Sequence, residues 1–124
     1  MSVKVPLSEL GEEVRRWGFG YLLTTSGEGR PHVIALTPDV THIPGGDPAG
    51  GTLLRFDAGG RRACQNAAVQ PAVTVLFPPR PDGDGYSLLV DGQATVLGDV
   101  VEVRPSGAVL HRPAPPLVDV TDAD

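Results

Sequence analysis

The apolar positions near the N-terminus repeat with the period of an α-helix. They fall at intervals of three and four residues and comprise Leu7, Leu10, Val14 and Trp17. The residues between them are mostly charged, so one face of the helix is predicted to pack on a core and the other to face water. Ser8 is predicted to cap this helix, Glu9 suits its first turn, and Gly18 supplies its end.

Beyond this helix, short runs of β-branched and aromatic residues are separated by Gly-rich and Pro-rich segments, a pattern typical of strands and turns. The runs FGYLLTT and PHVIALT flank SGEGR, so they are predicted to form a hairpin. The segment HIPGGDPAGG is predicted to be a loop because its Pro and Gly residues interrupt regular structure. GTLLRF is the third predicted strand.

The second half of the chain begins with a predicted short helix, RRACQNAAVQ, which Ala and Gln favour and Pro71 ends. AVTVLF is a fourth strand. YSLLVDGQATVLG is a long strand with a bend or bulge at Gly92. DVVEVRP is predicted to pair with it through a turn at Gly98 and Asp99, and GAVLHRP to form a last short strand or turn. Regular strands and tight turns favour a closed or nearly closed antiparallel barrel.

Length and composition place these elements in one domain. The 124 residues suit a single core, and 40% hydrophobic with 20% charged residues is typical of a globular protein. Residues 1–112 are assigned to the barrel and residues 113–124 to a flexible acidic tail. A chain of this length hides only about two thirds of its unfolded surface, so a dimer is a reasonable expectation.

Charge and cysteine content exclude several classes of function. The net charge of −5 argues against binding to nucleic acid, which normally requires a clustered basic face. No apolar run is long enough for a membrane span and no signal-peptide core is evident, so a cytoplasmic protein is expected. Cys64 is the only cysteine, and no metal-ligand cluster or Ser/His/Asp triad is present. Catalytic residues are therefore unassigned, and a cofactor must supply any chemistry.

The segment DAGGRRACQNAA joins two glycines, two adjacent arginines and the start of the second predicted helix. Arg61 and Arg62 could hold a phosphate bidentately, with Gly60 before them and the free N–H groups of the helix N-terminus adding to the attraction. The alternative is a solvated basic turn beside Asp57. The segment is therefore predicted either to bind an anionic group or to lie in water.

Hydroxyl and imidazole side chains supply further candidates. The hydroxyls at the end of the first strand are those of Thr24, Thr25 and Ser26. They could reach a ligand, but turn formation explains them equally well. His32, on the second strand, faces either a ligand or an ordinary packed or solvated environment. His111 with Arg112 could ligate haem or contact a ligand from a second subunit, and the alternative is a capping contact near the terminus.

Taken in order, the segments YLLTTSGEGRPHVIAL, GTLLRF, GGRRACQNAAVQP, AVTVLF and YSLLVDGQATV resemble the pyridoxamine 5′-phosphate oxidase-like family of flavin-binding split β-barrels. The resemblance runs from Leu7 to Arg112. It implies a mainly β fold, a split antiparallel barrel of about six to seven strands with an N-terminal helix and one short helix between strands. It also implies a homodimer with cofactor sites at the subunit interface. FMN is the usual ligand, while some branches use the deazaflavin coenzyme, haem or no established ligand.

The phosphate-holding turn of the FMN-binding members matches Gly59 or Gly60, followed by Arg61 and Arg62. A recurring family asparagine that caps the short helix or braces it against the barrel matches Asn66.

Two other family features are missing. The classical oxidase carries two further cations on its second strand, and the matching positions fall near Ile34 and Asp39, neither of which is basic. The long C-terminal segment that carries its substrate-binding residues is also absent. Oxidation of pyridoxamine phosphate is therefore not expected.

Two hypotheses follow from the resemblance. The first is a homodimeric flavoprotein that uses FMN, or a related deazaflavin, for hydride or electron transfer to an unknown small molecule. The second is a degenerate dimer that binds a ligand, haem among the options, or none, without catalysis. The residues predicted to contact a cofactor are Arg61, Arg62, Gly60, Thr25 and His32.

Overall fold

The structure, a computed structural model, describes residues 2–42, 51–59 and 61–113. The secondary-structure elements within these ranges are β1 (Ser2–Lys4), α1 (Leu7–Arg15), β2 (Gly20–Thr25), β3 (Pro31–Leu36), β4 (Asp39–His42), β5 (Thr52–Asp57), α2 (Arg62–Val69), β6 (Ala72–Phe77), β7 (Ser87–Leu97) and β8 (Val100–His111). Gly60, most of the predicted loop after β4 and most of the predicted acidic tail lie outside the described residues.

All the strands pair antiparallel in one sheet with the order β3-β2-β6-β7-β8-β5-β4, and β1 pairs with β8. The two strands at the ends of this order, β3 and β4, do not pair with each other within the described ranges, so the barrel is split. The predicted fold class is therefore confirmed. The hairpin of β2 and β3 and the long hairpin of β7 and β8 both form where the sequence predicts them.

Three details of the strand prediction are wrong. β1 and β4 are missing from it because each has only three or four residues and neither alternates clearly between apolar and polar. The last two predicted strands are one strand, β8, which continues through Pro105. A register irregularity at Asp91 and Gly92 places Pro105 opposite Gly92, and proline is tolerated at a bulge because no regular ladder bond is lost there.

The first helix packs as predicted but begins earlier than predicted. Leu10 and Val14 are buried, and Trp17 packs against the core after the helix ends at Arg15. The prediction that Ser8 caps the helix is wrong. Pro6 occupies the cap position without a side-chain cap bond, because the helix must already include Leu7 to turn that side chain towards the core.

The core lies between the inner side of the curved sheet and the two helices. Helix α1 packs on β4, β5 and β8, and helix α2 packs on β2, β3, β7 and β8. The largest fully buried side chains include Phe56, Phe77, Leu10, Leu22, Leu54 and Leu88. Cys64 is buried on α2, which agrees with a packing role for that thiol.

The outer side of the sheet divides into two parts of different character. The apolar outer face lies on β3, β2, β6 and adjoining parts of β7 and β8, and consists of Val33, Ala35, Tyr21, Leu23, Leu76, Leu89 and Val109. The polar outer face lies on β5 and the remaining parts of β7 and β8, and consists of Arg55, Gln93, Thr95, Glu102 and Arg104. An ion pair of 3.1 Å joins Arg55 Nε to Glu102 on the polar outer face.

We expect a single methyl group at Gly92 to destabilise the fold. A Cβ atom there would lie 2.6 Å from the backbone oxygen of Arg104 and 2.7 Å from Cγ1 of Val103, so the paired strands would have to move. Gly92→Ala should therefore lower the free energy of unfolding by about 1–3 kcal/mol, measured by urea denaturation. The control is Gly27→Ala, whose Cβ would meet only Val69 at an ordinary 3.5 Å. Equal stability of the two variants would contradict close packing at the bulge.

Candidate functional site

The basic turn lies between the end of β5 and the start of α2. The N–H of Ala58 donates to the carbonyl of Asp99 (2.9 Å), which anchors the turn to the hairpin of β7 and β8. Gly59 adopts a left-handed conformation with φ of 69°, which L-residues with a side chain rarely adopt. Arg61 then occupies the N-cap position of α2, and Arg62 is the first residue of the helix.

Both arginines are exposed, and neither guanidinium lies within ion-pair distance of a carboxylate from residues 2–42, 51–59 or 61–113. Asp57 is not among their ion-pair partners, and its Oδ1 accepts the N–H of Gly59 at 3.3 Å. Helix α2 also lacks a side-chain cap bond and an acidic residue in its first turn. Two cations therefore stand at a helix N-terminus that has no anionic partner in the described part of the chain, an arrangement that suits a phosphate.

A buried polar contact ties α2 to the sheet one helical turn after the arginines. Nδ2 of Asn66 donates to Oγ1 of Thr24 on β2 at 3.1 Å, and the two residues are only 6% and 1% exposed. The prediction that Asn66 braces the helix against the barrel is therefore confirmed. The second contact of this kind is at the other end of α2, where Nε2 of Gln70 donates to the carbonyl of Ser26 at 3.0 Å.

His32 lies directly opposite Thr24 in the pairing of β2 with β3. Opposed residues of an antiparallel pair project to the same side of the sheet, so the imidazole lies on the inner side together with Thr24. Its Nδ1 atom is buried and has no hydrogen-bond partner among the described residues. Such an unpaired buried atom costs free energy, and native structures rarely leave one without a protein, solvent or ligand partner.

The remaining predicted residues do not join this cluster. Thr25 follows Thr24 on the strand and therefore projects to the opposite side of the sheet, away from His32. The hydroxyl oxygen of Ser26 accepts backbone N–H bonds from Glu28 and Arg30, at 3.3 and 3.0 Å, so it serves the hairpin turn.

The two C-terminal candidates have structural contacts of their own. Nδ1 of His111 lies 3.2 Å from the hydroxyl of Ser2 on β1, and the guanidinium of Arg112 lies 4.7 Å from the ring centroid of Tyr86. The strand β1 that provides Ser2 has no signal in the sequence, so the sequence does not predict this contact of His111.

The two positions that the sequence resemblance matches to cations make other contacts in the structure. Ile34 packs against the core, and Asp39 is the first residue of β4, opposite Arg55. His32 precedes Ile34 by two residues on β3 and therefore projects to the same side of the sheet. The imidazole is thus the polar side chain among the half-buried residues of β3.

Two kinds of feature are absent from the parts of the chain that are described. No three side chains of His, Cys, Asp or Glu come together there in a way that could hold a metal ion. Neither of the two helices has the length and apolar character needed to cross a membrane.

Comparison with known proteins identified two relatives by sequence and several solved structures with the same fold as this chain. No protein-family model matches the sequence. The uncharacterized proteins Mb0449c of Mycobacterium bovis and MT0457 of Mycobacterium tuberculosis are each 35% identical to this chain over 123 residues, an alignment that covers 91% of this chain and 84% of each relative.

Among solved structures, the FAD binding protein of Mycobacterium smegmatis superposes with a TM-score of 0.63 at 17% identity, covering 90% of this chain and 100% of its own. A candidate pyridoxamine 5′-phosphate oxidase of Listeria innocua gives a TM-score of 0.62 at 16% identity, covering 86% and 98%. An F420 reductase gives a TM-score of 0.55 at 20% identity, covering 74% and 89%. These three structures share their fold with this chain.

Proposed function

Because this chain belongs to the same family as the two mycobacterial proteins and has the split-barrel fold of the pyridoxamine 5′-phosphate oxidase-like proteins, we propose that it binds a phosphorylated flavin at the basic turn before α2. FMN is the proposed cofactor, with the deazaflavin coenzyme as the chemically related alternative. The proposed activity is transfer of a hydride or electrons to a small molecule, and the proposed working unit is a homodimer.

The observation that carries this proposal is the pair of unpartnered arginines at the N-terminus of α2. An exposed basic turn on a protein with a net charge of −5 would be expected to find an acidic neighbour, yet none is within reach among the described residues. A dianionic phosphate supplies what this turn lacks, because it can accept bonds from both guanidinium groups and from the free helix N–H groups at once. In the proposed complex, Arg61 and Arg62 hold the phosphate.

The buried Nδ1 of His32, on the strand β3 against which α2 packs, is a second group to which the proposed flavin would offer a partner. Thr24 receives its hydrogen bond from Asn66. Of Thr24, Asn66 and His32, only the imidazole of His32 lacks a hydrogen-bond partner in the described residues. In the proposed complex His32 holds a polar atom of the flavin by a hydrogen bond. The flavin, when bound, supplies the electron transfer that none of the described side chains can perform.

The two cations that the classical oxidase carries on its second strand are missing here, and this lowers the affinity for FMN that we expect. A hydrogen bond to a charged group is worth about 1.5–3 kcal/mol, so a site without those two cations holds the phosphate less tightly than the classical oxidase does. This departure is the reason for proposing a flavin-binding protein with a different substrate rather than a pyridoxamine phosphate oxidase.

The test is to identify any small molecule released from the purified protein on denaturation, by mass spectrometry, and to titrate the protein into FMN while following flavin fluorescence. Release of FMN, or saturable quenching of its fluorescence, supports the proposal. Release of the deazaflavin coenzyme supports the flavin-like site with the alternative cofactor. A colourless protein that releases no flavin and leaves FMN fluorescence unchanged at about 50 μM would contradict it, and a Soret band on addition of haem would favour a haem protein instead.

Replacement of His32 separates a ligand contact from a packing role. His32→Leu is expected to weaken FMN binding by about 5- to 30-fold, the equivalent of one hydrogen bond. The same change removes an unpaired buried nitrogen, so the stability of the ligand-free protein should stay equal or rise.

A purely structural histidine would give the opposite pattern, with lower stability and unchanged affinity. The control is His42→Leu on β4, because His42 is exposed and belongs to a strand at the other end of the sheet order. This variant should bind FMN like the parent.

A further inference from the structure

The loop between β6 and β7 carries an arginine, Arg80, that lies over the ring of Trp17. Cζ of Arg80 is 5.3 Å from the centroid of that ring. Trp17 packs against the core after helix α1, and its Nε1 donates to Oε2 of Glu13 at 3.2 Å. Because these contacts fix the indole, the guanidinium lies on a fixed aromatic surface that restricts its orientation.

A turn of the same loop covers one edge of this guanidinium. The N–H of Gly83 donates to the carbonyl of Arg80 at 3.0 Å, and a Cβ atom at Gly83 would lie 3.5 Å from Nε of Arg80. Nε is buried and has no hydrogen-bond partner in the described residues. The donors that remain for a partner are those of the two terminal nitrogens, Nη1 and Nη2.

This half-buried cation also lacks a counter-ion in the described part of the chain. Glu13, which contacts the same indole, pairs instead with Arg16 at 3.2 Å. Asp82 and Asp84 belong to the same loop, yet neither carboxylate is within ion-pair distance of Arg80. A cation that loses part of its water without a charged partner is destabilising, so we expect Arg80 to bind an anion from outside the described residues.

The surroundings of Arg80 select the charge of that anion. The two terminal nitrogens of a guanidinium match the two oxygens of a carboxylate or of a phosphate. The exposed carboxylates of Asp82 and Asp84, together with the net charge of −5, repel a dianion more strongly than a monoanion. A carboxylate is therefore favoured over a phosphate.

We propose that Arg80, held on Trp17, binds the carboxylate of an aspartate or glutamate in an acidic segment of a partner protein. Arginine and tryptophan are enriched among the residues that dominate contacts between proteins, and a guanidinium that is already oriented loses less conformational freedom on binding. The inference goes beyond the proposed flavin site, because Arg80 follows β6 whereas Arg61 and Arg62 precede and begin α2.

Titration with a short peptide tests this site. The probe is the tripeptide Gly-Asp-Gly with blocked ends, and the control is Gly-Asn-Gly, which has the same shape without the charge. We expect the aspartate peptide to shift the NMR signals of the Arg80 Nε–H and the Trp17 indole N–H saturably. The expected dissociation constant is about 5–80 mM, the range that one charged hydrogen bond supports. Trp17 is the only tryptophan of the chain, so its signal is unambiguous, and the asparagine peptide should leave both signals unchanged.

Variants of Arg80 separate binding at this site from overall charge. Arg80→Ala should abolish the saturable shift of the Trp17 signal. Arg80→Lys keeps the charge but not the planar pair of donors, so it should weaken peptide binding at least about threefold, with an unchanged far-UV circular dichroism spectrum. The matched control is Arg104→Ala, which removes an exposed arginine of β8 and should bind the peptide like the parent. Equal weakening by Arg80→Ala and Arg104→Ala would overturn the site.

Three further results would overturn the proposal. The first is the absence of a saturable shift in the parent protein at about 200 mM peptide. The second is tighter binding of inorganic phosphate than of the aspartate peptide at equal ionic strength, which would replace the carboxylate by a different anion. The third is peptide binding only after Asp119→Asn, Asp122→Asn and Asp124→Asn are combined in the full chain, which would make this chain's own C-terminal segment the occupant. The FMN titration reports on the flavin site independently of all these results.

Discussion

Replacing Arg61 and Arg62 together by alanine is expected to weaken FMN binding by at least about a hundredfold. Each guanidinium would lose a charged hydrogen bond to the phosphate worth about 1.5–3 kcal/mol, and every 1.4 kcal/mol is tenfold in the dissociation constant. Both side chains are exposed at the start of α2 and make no hydrogen bond, ion pair or ring contact in the described part of the chain, so the fold should be unaffected. Fluorescence titration measures the loss.

Riboflavin makes this experiment specific for the phosphate. It carries the same ring without the phosphate, so its affinity should be nearly equal for the parent and the double variant, if the arginines contact only that group. The matched control for charge is Arg15→Ala with Arg104→Ala, because it removes two exposed arginines from other elements and changes the net charge equally. Equal loss of FMN affinity in this control would show that overall charge, and not the basic turn, attracts the ligand.

Truncation of Leu88 is expected to have the largest effect on stability. This side chain is 0% exposed in the middle of the core and lies between Phe77 and Leu110 in the sheet pairing. Leu88→Ala removes its apolar contacts and leaves a cavity, which costs about 2–5 kcal/mol. For a domain of this size the thermal midpoint should fall by roughly 10–20 °C, measured by circular dichroism at one fixed protein concentration.

The same strand offers the control. Leu97 is the last residue of β7 and is 50% exposed, so Leu97→Ala carries out the same chemical change where little apolar surface is buried. Its cost should be below about 1 kcal/mol. If the two variants lost equal stability, the inner and outer sides of β7 would have been assigned wrongly.

The strands that could be predicted from the sequence are those whose own residues show a strand pattern. The hairpin of β2 and β3 and the bulge at Gly92 follow from alternation, turn residues and an isolated glycine, all of which are local. β1 has no such signal, since its three residues are all exposed and it exists because β8 offers free hydrogen-bonding groups beside it. The continuity of β8 through Pro105 likewise depends on the partner strand, because only the bulge makes room for a proline there.

The candidate site divides in the same way. The position of Arg61 and Arg62 at a helix N-terminus could be predicted, because the glycines, the arginines and the Ala-rich run are adjacent in the chain. The unpaired nitrogen of His32 could not be predicted, because it depends on which residues of α2 contact β2. That contact joins residues far apart in the sequence, such as Asn66 and Thr24, which are separated by 42 positions. Thr25 shows why the sequence alone does not identify the site residues. Neighbouring residues of a strand project to opposite sides of the sheet, so Thr25 lies on the other side from Thr24.

The pairing of β1 with the end of β8 joins two segments 109 residues apart, from Ser2 to His111. During synthesis on the ribosome, β1 emerges first and its partner emerges after every other strand described here. The nascent chain therefore carries β1 without its partner while β2 to β7 are being made, and β1 can pair only once the end of β8 has emerged. A segment of three exposed residues that ends in a lysine is poorly suited to pair with another chain during that wait.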